Sequence, residues 1–471
     1  MRVLAIGLGG AGSRIVDHLY DHDCRSRICC MKALAVDLDP NSLQQLRYLP
    51  SECRMFFPPI DPHHPYDIEH VIHIDEVMTR IQHIDTIQID AILICCGLGG
   101  EMVQTAPRII HDLRKSFIEP VFVVATIPSR NEGMKRSAKA FEDLEMLREK
   151  VDALILFDNE LLMQKVVMAA DEKAAPPPEP VFLREIRKIL PENPRDTYFL
   201  MNDRIARNIG LLLRAGEFNE RGLEVAEVVL DAGEVLKTLT HMGIISVGYA
   251  VDELEPQSWF SRFRPRKPTI ESTHTKAARI VSLAKRAVYE ESSISCDLTS
   301  AQKALVLIAG PSHELSMRGF QTVRKWIDRS ISGLEMRSGD YPVKNTRYIG
   351  IIIVLAGLTN VPRIEELRSM YEKSLEENSV ATVLPEAAVP SRESPAAPAV
   401  TEKSVVDSSA PSPESVPTIP VSGTEPPVME TQKAAETAGP GPEPLVDVSA
   451  HKPKRSSRKK DTEEELTPTP K

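Results

Sequence analysis

Short apolar runs alternate with helical patterns along the first 160 residues. The short run Arg2–Ile6, apolar after its arginine, stops at Gly7, Gly9, Gly10 and Gly12, after which Ile15, Val16 and Leu19 recur at helical spacing. Further apolar runs at 33–36, 91–96, 121–125 and 153–157 predict four more strands. Helices are predicted near 68–81, after Thr105 and over 134–150. This alternation predicts an α/β fold with a doubly wound parallel sheet, whose ligand sits at the carboxyl ends of the strands. Phe199, Ile205, Ile209 and Leu212 then mark one long helix over 198–214, and 236–239 continues as helix up to Gly243. Helix 276–290, strand 304–309, helix 320–331 and strand 348–356 predict a smaller α+β domain.

Composition changes this picture at one end. All 23 aromatic residues lie at or before Tyr371, whereas 372–471 holds 16 of the 37 prolines. Such a segment cannot bury enough apolar surface to offset its ordering entropy, so a disordered tail is predicted there. The expected division is 1–196 (α/β), 197–254 (central helix and following loop), 270–371 (α+β) and 372–471 (tail). Pro176 to Pro178 mark a loop, and 255–268 reads as a charged connector.

The net charge of −10 argues against a nucleic-acid binder by bulk electrostatics. Seven cysteines, with adjacent pairs at Cys29/Cys30 and Cys95/Cys96, suit reduced thiols and a cytoplasmic protein. No apolar run reaches the roughly 18 residues of a membrane span, and residues 1–12 read as a strand rather than a signal peptide. His63, His64, His70 and His73 lack zinc spacing and read as solvated loop residues, so no metal site is expected of them.

The chemistry lies in the glycine loops. Gly7, Gly9 and Gly12 between a strand and a helix allow backbone to approach phosphate oxygens at a helix N-terminus. With Asp37 closing the next strand, this is also a dinucleotide fingerprint. A second glycine loop, Gly97, Leu98, Gly99 and Gly100, ends the third strand, and two neighbouring cradles suit a triphosphate better than a pyrophosphate.

These blocks resemble the FtsZ branch of the tubulin superfamily, as a divergent prokaryotic member, with an archaeal source left open. Gly9, Gly10, Ala11, Gly12 and Ser13 match that family's first nucleotide loop, and Asp37 to Asp39 its second. Pro128, Glu132, Gly133 and Arg136 match the loop whose Glu and Arg contact the ribose. Asn159 matches an Asn that touches guanine, Tyr198 an aromatic that stacks on the base, and Asn202 with Asp203 the base-reading pair. Asp231 and Glu234, ahead of Met242 and Gly243, match the loop that completes a neighbour's catalytic site. The resemblance implies a GTP- or GDP-binding cytoskeletal protein of the cell-division type, with room for Mg2+. It implies head-to-tail filaments formed with itself or an ordinary FtsZ, and a GTPase site completed by the next subunit. By spacing alone, Asp231 and Glu234 read equally as a capped helix start.

The departures are specific. Gly99 to Thr105 lack the family's Thr-rich pattern, and Glu101 would set a carboxylate near the phosphates. Like charges about 4 Å apart repel by ~4 kcal/mol at an effective dielectric near 20, unless a metal or an Arg intervenes. Arg14, in place of an Asn, is the candidate Arg. The family's third loop is not visible between residues 60 and 90, and Val229 replaces an Asn. Weak or absent hydrolysis is expected. Two other readings stay open: a nucleotide-independent adaptor of the same family, and an NAD(P)-dependent oxidoreductase using Gly7, Gly9, Gly12 and Asp37. The tail would reach about 55 Å as a coil. Its basic cluster at 452–460 suggests a membrane surface, nucleic acid or acidic protein as partner.

Overall fold

The computed structural model describes residues 1–26, 29–58, 71–84, 88–173, 194–214, 230–254, 270–333, 335–343 and 346–383. His63, His64, His70, Pro176 to Pro178, Val229, the connector 255–268 and the cluster 452–460 lie outside them.

Among the described residues ten strands form one sheet: β1 (Val3–Leu8), β2 (Met31–Asp37), β3 (Arg54–Phe56), β4 (Ala91–Gly97), β5 (Val121–Ile127), β6 (Ala153–Asp158), β7 (Gly243–Glu253), β8 (Lys303–Gly310), β9 (Glu335–Pro342) and β10 (Tyr348–Ala356). Their order is β3-β2-β1-β4-β5-β6-β7-β10-β8-β9. The first seven pair in parallel, and β10 runs antiparallel to both β7 and β8. The smaller α+β half thus extends the first half's sheet, with β7 between them. The helices are α1 (Gly9–Ser26), α2 (Pro40–Gln44), α3 (Ile74–Gln82), α4 (Ala106–Ser116), α5 (Met134–Arg148), α6 (Asn159–Lys173), α7 (Pro194–Arg214), α8 (Ala232–Leu239), α9 (Ile270–Tyr289), α10 (Met317–Ser330) and α11 (Pro362–Val383).

Strand alternation builds two cores. Leu4, Ile6 and Leu8 of β1 and Ile92, Ile94 and Cys96 of β4 face one core, shared with α3, α4, α5, α9, α10 and α11. Val3, Ala5, Ala91, Leu93 and Cys95 face the other, shared with α1, α2, α6, α7 and α8. Side chains in a strand point to opposite faces in turn, so a sheet covered on both sides reads as an unbroken apolar run. That reading is correct for β1, β4, β5 and β6.

The pattern did not separate every element. β7 and β9 were not predicted, nor were β3, α6 and α11. β9 contains Arg337, Ser338, Gly339 and Asp340, which carry little strand propensity, and its pairing with β8 decides its form. α11 continues through 372–383, into the stretch that composition assigns to the tail.

Candidate functional site

The parallel strands β1, β4, β5 and β6 end together, and their carboxyl-end loops collect most of the predicted site residues. At the end of β1, Gly9 opens α1 with φ +68°, a conformation that a side chain resists. Gly10 faces the Arg14 Nη1 and Ser42 Oγ ends, which a Cβ there would meet at 3.1 and 2.9 Å. Arg14 Nη1 donates to the Gly10 carbonyl at 3.2 Å, and its Nη2 to Gln45 Oε1 at 3.3 Å. A guanidinium therefore stands beside the helix N-terminus, where backbone N–H groups already favour an anion. Ala11 is exposed, whereas Ser13 is fully enclosed and its Oγ has no hydrogen-bond partner among the described residues. The Ser13 hydroxyl is thus not presented to the cradle.

The second glycine loop packs onto the first. Met102, buried in the 3-10 turn Glu101–Thr105, lies where a Cβ on Gly9 would meet it at 3.0 Å. A Cβ on Gly97 would sit 2.8 Å from that of Ala11. Gly99 takes φ +77°, and its N–H donates to Asp143 Oδ2 at 2.8 Å. Burial pushes the Asp143 carboxyl up to about 6. Leu98 is buried, Gly100 caps the following turn and Glu101 is exposed. Nothing in the sequence pointed to Asp143 or Met102, because each acts across the fold.

The loop after β5 brings Glu132 and Arg136 together, Nη1 to Oε2 at 3.1 Å. Glu132 Oε1 also accepts from Ser129 N at 2.8 Å, completing a capping box. Tyr198, near the start of α7, stands within electrostatic reach of both. Burial, then the Glu132 charge, push its phenol up, and Arg136 opposes them. The residue is 40% exposed. Asn202 is one turn further along α7 and buried, and Asn159 is the first residue of α6, directly after β6.

Other predicted residues are engaged elsewhere. Asp203 lies 2.9 Å from His22 Nε2 and 2.7 Å from Arg207 Nη2, and these partners, His22 first, hold its carboxyl at about 2. It therefore faces α1 rather than the Tyr198 group. Asp39 caps α2, accepting from Asn41 N at 2.9 Å and Ser42 Oγ at 3.0 Å. Asp37 is buried, and its Oδ1 accepts from Leu38 N and Asp39 N. A carboxylate so enclosed is not offered to a ribose hydroxyl, which removes the main support for a nicotinamide dinucleotide. Cys95 and Cys96 are buried free thiols on β4, while Cys29 is exposed at a turn with φ 55°.

α7 carries the chain from these loops to the amino ends of the strands, where the Met1 amine donates to Leu213 O at 2.8 Å. α8 lies against β8 and β9. Lys303 Nζ donates to Lys237 O at 2.8 Å, and Tyr341 Oη to Leu230 O at 3.1 Å. Asp231 is the N-cap of α8, accepting from Glu234 N at 2.7 Å. Glu234 is paired with Arg337 Nη1 at 2.7 Å and Lys237 at 3.6 Å. Both acids thus have a local partner. Asp231→Ala is expected to lower stability by about 1 kcal/mol, the usual worth of a lost cap, in urea unfolding. Asn at this position should restore it.

No group of three or more His, Cys, Asp or Glu residues could hold a metal among the described residues, and no helix there is long and apolar enough to cross a membrane.

The chain is similar to known proteins in sequence and fold. Residues 2–167 match the GTPase domain of the tubulin/FtsZ family, and residues 192–373 the C-terminal domain of tubulin-like CetZ. The tubulin-like protein CetZ3 of Haloferax volcanii is 30% identical over 382 residues, covering 79% of this chain and 91% of CetZ3. Among solved structures, the GDP-bound CetZ1 monomer of the same organism superposes with a TM-score of 0.62 at 26% identity, covering 80% of this chain and 100% of that one. A GTPγS-bound protofilament of its CetZ2 gives 0.64 at 24%, again covering 80% and 100%.

Proposed function

The chain belongs to the tubulin/FtsZ family, alongside its tubulin-like CetZ members, and from that premise we propose that it binds a guanine nucleotide at the carboxyl-end loops, assembles head to tail with copies of itself, and hydrolyses GTP slowly. One observation carries the reading: the Gly9–Gly12 cradle with Arg14 beside it, and the Glu132, Arg136 and Tyr198 group, stand at the same end of one sheet. These residues fit the ligand. The bare glycines let the N-terminus of α1 seat against β4 and the second loop, where Cβ atoms at Gly12 and Gly9 would meet Cys95 and Met102; that N-terminus and Arg14 offer positive charge to phosphates, and the tyrosine ring offers a stacking face. Asn202 and Asn159 are the groups left to read the base. Mg2+ would be held mainly by phosphate oxygens and water, as its reluctance to dehydrate favours. The GDP bound by CetZ1 and the protofilament of CetZ2 support the two halves of the proposal.

Slow hydrolysis is supported by the residues themselves. The second loop offers Glu101 and Met102 where hydroxyls would donate to phosphate, and Glu234 is neutralised by Arg337 within its own chain. An acid already paired is poorly placed to orient water at a neighbour's phosphate.

The test is nucleotide content. Denaturing the purified protein is expected to release GDP or GTP, and added GDP to bind at micromolar concentration by calorimetry. Turnover is expected at least about tenfold below an ordinary FtsZ assayed beside it, a barrier difference of ~1.4 kcal/mol. Release of a nicotinamide dinucleotide, or no binding at all, would overturn the nucleotide assignment. Equal turnover would overturn slow hydrolysis, and filaments that ignore nucleotide would favour an adaptor.

A further inference from the structure

The loop that carries Glu132 is gripped from behind by α11, the last described helix of the chain. Arg363 is buried, with a side chain only 3% exposed. Its Nη2 donates to Pro128 O at 2.8 Å, Nη1 lies 2.7 Å from Glu366 Oε2, and Nε lies 3.9 Å from Asp158 Oδ1. Glu366 receives a two-pronged contact from Arg130, Nε to Oε1 at 2.8 Å and Nη2 to Oε2 at 2.9 Å. Fork-to-fork pairs of this kind fix geometry as well as charge. Arg130 N also donates to Glu160 Oε2 at 3.2 Å, and Asp158 Oδ1 accepts from Glu160 N at 3.0 Å. The loop is therefore held at Pro128 through its backbone and at Arg130 through backbone and side chain.

α11 also supports the other side of the site. Tyr371 packs on Phe141 of α5, ring centroids 5.5 Å apart, and Arg368 lies 5.6 Å from the same ring. The first turn of α5 carries Arg136, the partner of Glu132. Both members of the Glu132–Arg136 pair thus rest on elements that α11 braces.

We propose that α11 is a positioning element of the nucleotide loop, with Arg363 and Glu366 setting the place of Glu132 through Pro128 and Arg130. The inference rests on the nucleotide-binding reading given above.

A double-mutant cycle on the full chain tests it, with GDP affinity as the readout and thermal unfolding alongside. Arg130→Ala leaves Glu366 its Arg363 partner, and Glu366→Gln removes the α11 charge. Each is expected to weaken GDP binding about fivefold, and the double variant no further, because coupled residues do not add. Arg130→Lys keeps the charge but not the fork, and should recover part of the loss. Glu365→Ala, on the same helix, should bind as wild type. Additive losses would mean that Arg130 acts on the ligand directly and would overturn the proposal, as would unchanged affinity in Arg130→Ala. Equal losses in Glu365→Ala would reduce the effect to helix stability and overturn it too. Failure of wild type to bind GDP would instead remove the nucleotide reading itself.

Discussion

Gly12→Ala is expected to destabilise the protein by about 3 kcal/mol, at the upper end of what overpacking costs. A Cβ at Gly12 would stand 2.0 Å from the Cys95 carbonyl oxygen and 2.7 Å from its carbon. Those are backbone atoms of β4, a central strand hydrogen-bonded on both sides, so they cannot turn aside as a side chain would. Relief requires α1 to lift from the sheet, and lifting α1 strips Ile15, Val16 and Leu19 from their core. Gly10→Ala is the control. Its Cβ meets only the tips of Ser42 and Arg14, and alanine favours a helix, so stability should stay within about 1 kcal/mol of wild type. Urea unfolding of the two variants separates a glycine needed for packing from one needed to leave a cradle open. Equal stability of Gly12→Ala and wild type would show that α1 does not seat on β4 as closely as described.

Arg363→Ala is expected to cost about 3 kcal/mol at neutral pH, because it removes the buried cation beside Asp158, while Glu366 keeps its pair with Arg130. The loss should depend on pH in a defined direction. Burial already holds the Asp158 carboxyl above its ordinary value, and Arg363 is the first group opposing that rise. A carboxyl raised in the folded state favours folding below its unfolded value and loses that contribution as pH climbs through its folded value. Without Arg363 the rise is larger, so the deficit of the variant grows as pH climbs through the raised value of the wild-type carboxyl and is smaller at pH 5 than at pH 7. Glu366 behaves oppositely. Arg130, then Arg363, hold it at about 2, so it supports the fold throughout this range and weakens it only as pH falls below about 4. Unfolding curves at pH 5 and pH 7 give the comparison. A pH-independent loss would mean that Arg363 serves only as packing.

The positions of the loops were legible because local rules decide them. A strand feeding a helix through glycines requires a backbone turn that no other residue makes as easily, and Gly9 and Gly99 take the positive φ that this implies. Asp231 was legible in the same way, with both its readings, since an N-cap is settled by residues three positions apart. Asp203 shows where local reasoning stops. Its neighbour Asn202 stays one turn from Tyr198, but the helical rotation of about 100° per residue carries Asp203 round to His22, a partner 181 residues away in the chain.

By itself the sequence determined the alternation of strands and helices and the glycine loops at the strands' carboxyl ends, since each follows from spacing within a short window, and the ordered blocks around those loops carried the resemblance to the tubulin superfamily. Tertiary structure alone decided that both halves share one sheet through β7, that Glu234 is spent on Arg337, and that α11 reaches back to the loop of Glu132. Those contacts join residues from 90 to 236 positions apart. No local propensity encodes such pairs. They are set by which faces the sheet leaves for burial, and by the need of every buried charge for a partner.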